Sequence, residues 1–113
     1  MHEVALAQSI VDLVEDQARR DSFTRVSTVH ISLGALSRVD PQALDFGFEV
    51  AARGTVAEGA KLAIDRPGGM GFCTACSKNV AVDGYGDACP ACGGYAWLLI
   101  RGDEMRVVDL EVE

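Results

Sequence analysis

The chain has 113 residues, 49% of them apolar, and a formal net charge of −7. That size suits one domain, or a small domain carrying a smaller module, around a modest core. The acidic balance excludes the basic patch a nucleic-acid binder needs to displace counterions. No stretch approaches the roughly 20 apolar residues that span a bilayer, so no membrane partner is expected.

The opening run, MHEVALAQSIVDLVEDQ, is interrupted by Asp12, Glu15 and Asp16, where a signal peptide would stay apolar. A cytoplasmic protein with reduced thiols is therefore expected. From Val4 to about Arg20, Leu6, Ile10, Leu13, Val14 and Ala18 fall at helical spacing, with Val4, Ala7 and Val11 widening the stripe. Glu3 at the start and Arg19 and Arg20 at the end agree with the helix dipole. One of the two histidines, His2, stands ahead of this helix. An amine, an imidazole and the backbone nitrogens of His2 and Glu3 could hold Ni²⁺ or Cu²⁺ in a square plane. The plainer reading is a histidine that points into water.

In RVSTVHISLG, Val29, Ile31 and Leu33 alternate with Thr28, His30 and Ser32, a strand with one buried face stopped by Gly34. His30 lies on its polar face with no ligand partner at a recognisable spacing. A second helix follows, with Asp40 at the N-cap and Pro41 at the first helical position, where a missing N–H costs nothing. Leu44, Phe48 and Ala51 are its expected inward face and Gly54 its C-cap; Gly47 weakens it for no reason the sequence gives. KLAIDR is a short strand, and the closing GDEMRVVDLEVE another, with Val108, Leu110 and Val112 on one side. These elements predict an α+β fold: two helices on a three-stranded sheet, residues 1–66 and 101–113, with an inserted module at 67–100.

That module holds all four cysteines, as CTAC and CPAC separated by twelve residues. Two residues between cysteines let a tight turn aim both sulfurs at one point, so Cys73, Cys76, Cys89 and Cys92 can close a tetrahedron around Zn²⁺. A rubredoxin-like iron is the rival, and nothing else here suggests electron transfer. Four thiolates leave no open position for a reacting water, which makes the zinc structural or regulatory. The intervening residues suit a short hairpin with Val80, Val82 and Tyr85. No phosphate loop or nucleophile–base pair is present, so no enzyme is expected.

The start MHE, the segment SLGALS, DPQAL with FEV, GTVAEGAKL, the two CxxC pairs, and GDEM with LEVE occur in this order. Together they resemble the hydrogenase maturation nickel metallochaperones of the HypA/HybF type, over essentially the whole chain. The resemblance implies a nickel-binding α/β domain carrying a zinc ribbon. Nickel would be held by the imidazole and backbone nitrogen of His2, the backbone nitrogen of Glu3, and Asp40. Zinc would be held by Cys73, Cys76, Cys89 and Cys92. It also implies that Ni²⁺ passes to the large subunit of a nickel–iron hydrogenase, with a nickel-handling maturation GTPase as second partner. One departure matters: where some members place histidines beside the zinc cysteines, this chain has Ser77-Lys78 and Gly93-Gly94. The alternative is a zinc-ribbon adaptor between proteins, without nickel transfer. A monomer, a homodimer and a strand-exchanged dimer all remain open.

Overall fold

A computed structural model describes residues 2–113 as helix α1 (His2–Asp21), strand β1 (Val26–Leu33), helix α2 (Pro41–Ala52) and strands β2 (Lys61–Asp65), β3 (Gly69–Cys73), β4 (Lys78–Val82), β5 (Trp97–Arg101) and β6 (Met105–Val112). The strands form two three-stranded sheets, ordered β2-β1-β6 and β4-β3-β5. The α+β class is as expected, with two helices and a three-stranded sheet in one part and the four cysteines clustered in the other. The chain divides into two units. The helical unit comprises Met1–Ile31, Val39–Ile64 and Val107–Glu113, and the cysteine unit Ser32–Arg38 and Asp65–Arg106.

In the helical unit, α1 buries Ala7, Ile10, Val11, Val14 and Ala18. The stripe is narrower than its periodicity suggests, because Val4 and Leu13 stay largely in water. The helix also starts earlier, at His2. Asp40 caps α2 from an extended conformation: its Oδ1 accepts the Gln42 N–H at 3.0 Å, and its carbonyl accepts the Leu44 N–H at 2.9 Å. Leu44, Phe48 and Ala52 are the buried positions of α2, so the inward face is turned one residue from the expected Ala51. The C-cap is Arg53, with Gly54 following at φ +78°.

Gly47 now has a reason. A Cβ there would lie 3.3 Å from the Ala7 Cβ and 3.7 Å from the Glu3 carbonyl oxygen, so its absence lets the first turns of α1 lie against α2. Val29, Ile31 and Leu33 of β1 are buried as expected. The expected apolar side of β6 is not: Val108 and Val112 are each about half exposed. With Leu13 and Phe23 they line an open groove of about 530 Å³, because β6 is an edge strand and the second half of α1 does not close over it.

The cysteine unit is built on β3, which pairs antiparallel with β4 (Phe72 opposite Asn79) and with β5 (Phe72 opposite Leu98). Three strands stand where one hairpin was expected. Glycines in GMGFC hid β3, yet they fit it: a Cβ at Gly71 would come within 2.5 Å of the Trp97 ring. The core of this unit is Leu36, Cys73, Val80, Val82 and Cys89, with Cys76 and Trp97 packed against it.

Leu36 arrives on a strap, residues 34–38, that precedes α2 in sequence. The strap is tied by Gly34 N–H to the Glu104 carbonyl (2.9 Å), Ala35 N–H to Pro67 (3.0 Å) and Leu36 N–H to Gly102 (2.8 Å). The approach at Gly34 is so close that a Cβ would sit 1.9 Å from the Gly102 carbonyl oxygen. Tyr85 adds a hydroxyl donated to the Leu36 carbonyl at 2.9 Å, and its ring lies 4.1 Å beneath the Arg38 guanidinium. Arg38 is held at φ +61°, a left-handed conformation unusual for a residue with a Cβ.

Candidate metal centres

The four cysteines occupy two copies of one turn. The Ser77 N–H donates to the Cys73 carbonyl and the Gly93 N–H to the Cys89 carbonyl, both at 2.8 Å, and both donors have positive φ. Backbone N–H groups also face the sulfurs: Ala91 to Cys89 Sγ and Gly94 to Cys92 Sγ, each 3.4 Å. The four Sγ atoms lie within 4.8 Å of one another, with Cys73 to Cys92 at 3.7 Å and Cys76 to Cys89 at 4.0 Å. A tetrahedron with zinc–sulfur bonds of about 2.3 Å has edges of about 3.8 Å. The donor set, its spacing and its geometry fit a zinc ion.

Their protonation shows why a cation suits the cluster. The Cys89 thiol is pulled down to about 7, first by the Cys92 backbone N–H and then, against burial, by that of Ala91. The Cys76 thiol is pushed up to about 12 by the sulfurs of Cys92 and Cys73 and by burial. Four neighbouring sulfurs therefore do not all ionise by themselves. A divalent cation supplies the missing attraction, which is how structural zinc becomes folding energy.

The second constellation lies at the start of α1. His2 is exposed, and Glu3 sits half-buried in the first helical turn. The Glu3 carboxylate accepts the Asp40 N–H at 3.2 Å, which ties the chain terminus to the cap of α2. Its pKa is lowered, first by its own backbone N–H and next by that of Asp40. The first N–H groups of any helix lack intrahelical acceptors, so a metal that displaced the protons of His2 and Glu3 amides would break no helical bond. Glu3 and Asp40 are thus brought together. Among the described residues, only the cysteines gather three or more side-chain ligand atoms within 4.8 Å, so His2, Glu3 and Asp40 do not converge through their side chains. The Met1 amine lies outside the described residues.

Sequence reasoning missed the partners of His30. Its Nε2 meets the Glu111 carboxylate, with Asp109 at 3.9 Å, both from β6 at the far end of the chain. The signal was the polar alternation of two strands, readable only once they are known to be neighbours. The Leu36 strap left no such trace.

Comparison with known proteins bears on both centres. The profile of the HypA family, described as hydrogenase/urease nickel incorporation, metallochaperone, matches residues 1–112. Hydrogenase maturation factors HypA from Methylocella silvestris and Bradyrhizobium diazoefficiens are 46% and 47% identical over 113 residues, the full length of each chain. Among solved structures, the Ni metallochaperone HypA from Helicobacter pylori superposes with a TM-score of 0.68 at 23% identity, covering 97% of this chain and 96% of that one. A further HypA solution structure gives 0.71 at 27% identity, covering 100% and 97%.

Proposed function

This chain belongs to the HypA family of nickel-incorporation metallochaperones, and from that premise we propose that it carries Ni²⁺ at its N-terminus to the large subunit of a nickel–iron hydrogenase. The observation that carries this reading is the Glu3–Asp40 contact, which sets two of the candidate ligand residues side by side next to His2. His2 contributes its imidazole and backbone nitrogen, Glu3 its backbone nitrogen, and Asp40 a carboxylate oxygen left over from capping, since Oδ1 alone accepts the Gln42 N–H. Nickel is cargo, so an exposed site at a chain end is an advantage: a recipient's ligands replace these one at a time. The protein acts as a carrier rather than a catalyst, in the cytoplasm, and a nickel-handling GTPase is its second partner. Among the described residues, no helix is long and apolar enough to cross a membrane.

Zinc, held by Cys73, Cys76, Cys89 and Cys92, has a structural role, for a cluster in which two of five buried residues are cysteines has little else to fold on. With no histidine beside those cysteines, any influence of one metal on the other works through movement of the chain rather than exchange of zinc ligands.

The test is a nickel titration of zinc-loaded protein, tagged only at the C-terminus, followed by visible absorption. Wild type is expected to develop a square-planar spectrum that His2→Ala lacks, and to lose nickel as pH falls, because imidazole and amides must give up protons to bind it. Equal spectra from both proteins would refute the assignment. The adaptor reading has one observation in its favour, the exposure of Tyr95, Leu98 and Ile100 around β5. It predicts full hydrogenase maturation by His2→Ala, and the wild-type level of maturation decides between the two.

A further inference from the structure

The outer face of the helix pair is apolar and uncovered at the end where the nickel terminus lies. Phe46 and Val50, one turn apart on α2, are 67% and 44% exposed, and Val4 on the first turn of α1 is 53% exposed. With Glu3, Gln8 and Ala51 they line a groove of about 300 Å³. The fold has no use for these side chains, because the opposite face of α2 already supplies the core through Leu44, Phe48 and Ala52. A cluster of large apolar side chains held in water marks an interaction site. Its lining lacks the converging polar groups that orient a small molecule, which favours a protein side chain as occupant.

Charge selects the kind of protein. The helical unit carries twelve acidic against five basic side chains, so the whole net charge of −7 falls within it, while the cysteine unit carries five of each. Along this groove Gln8 donates to Asp12 at 2.9 Å, and Glu3 stands at one end. Two copies of such a surface repel each other; a basic surface is drawn to it.

We propose that this groove seats the nickel-accepting protein through an apolar side chain flanked by lysine or arginine. The proposal rests on the nickel reading of His2, and it explains why docking and delivery share one end of the helix pair. A partner anchored at Phe46 is held beside Glu3, which lines the same groove, so transfer becomes a local exchange rather than a second encounter.

The experiment measures binding of the full-length, zinc- and nickel-loaded chain to the purified apo large-subunit precursor of nickel–iron hydrogenase, by calorimetry at two salt concentrations. Phe46→Ser and Val50→Ser should each weaken binding by about 10-fold or more, as an interface anchor does, with their nickel spectra unchanged. Asp12→Lys, at the carboxylate to which Gln8 of the groove donates, should weaken it less and flatten its salt dependence. His2→Ala should lose the nickel spectrum and still dock. Wild-type affinity in both serine variants would overturn the proposal, as would no binding by the wild type. So would a dimer, seen by sedimentation, that Phe46→Ser abolishes. If His2→Ala kept its nickel spectrum, the nickel-site assignment would fall, while the affinities of the serine variants would still decide whether the groove is the docking surface.

Discussion

The two units of this chain reach stability by different routes. The helical unit buries Ile10, Val14, Val29, Ile31, Leu44 and Phe48, ordinary apolar volume contributed by both helices and a strand. It folds on area removed from water, and that leaves it free to hold the molecule's net negative charge on its surface. The cysteine unit is neutral by side-chain count and buries a cluster of five, two of them the sulfur donors Cys73 and Cys89. Clustered sulfurs there take the place of a larger apolar core. The contrast teaches that a small protein can build one unit on apolar volume and the other around four clustered sulfurs.

Removing zinc should expose this contrast most sharply. Structural zinc contributes on the order of 10 kcal/mol to small cysteine modules, so a chelator should erase the amide dispersion of residues 65–106 in an NMR spectrum while the helical circular dichroism of α1 and α2 persists. Loss of both signals together would show that the units are one cooperative whole. Acid should act in the same direction, since protons compete with zinc for sulfur. Without metal, Cys76, pushed up to about 12, takes its proton before Cys89, pulled down to about 7, as pH falls.

The converse perturbation is Phe48→Ala, expected to cost about 3–5 kcal/mol through the cavity it leaves. The thermal melt of the helices should move down, and the cobalt–thiolate absorption of a cobalt-substituted sample should not. Leu36→Ala sharpens the comparison further. It sits between β1 and α2 in sequence but in the cysteine cluster in space, so its loss of about 2–5 kcal/mol should appear in metal retention rather than in the helical melt.

Asp40→Ala should destabilise α2 by about 1 kcal/mol. Asp40→Asn keeps the cap, so a nickel defect shared by both variants belongs to the metal and not to the helix. The smallest effect is at Glu3. Its folded pKa lies below the ordinary 4.5, so its contact with Asp40 contributes fully above that value and is lost as pH falls through the depressed one. The Asp40 amide resonance should therefore shift only under acid conditions; a shift between pH 6 and 8 would contradict the contact.

Much of this is legible in the residues. Periodicity finds both helices, Asp40-Pro41 marks the start of α2, and cysteine spacing finds a cluster whose geometry the structure bears out. What escapes are features that depend on distant parts of the chain. Gly47 looks like a flaw until Ala7 and Glu3 are seen against it. β3 has too many glycines to read as a strand, because the volume its side chains lack comes from Trp97, two dozen residues later. Spacing sets Phe46 off the inward face of Leu44 and Phe48, but gives no reason for a large aromatic side chain to stand in water there. The alternation in β6 does mark a strand, but alternation records only that a strand has two sides and cannot say whether anything covers them.

The strap at 34–38 and the last strand have a consequence for how this protein is made. Proteins with two units commonly finish the first on the ribosome before the second emerges. Here that order is closed off. The helical unit needs Val107–Glu113 to complete its sheet, and the cysteine unit needs Leu36 from the first third of the chain and Gly102 and Glu104 from near its end. Neither has all its pieces until residues beyond 100 have been made. Leu36 waits, newly made and apolar, for cysteines not yet translated, and both units become whole only once residues 102–113 have followed.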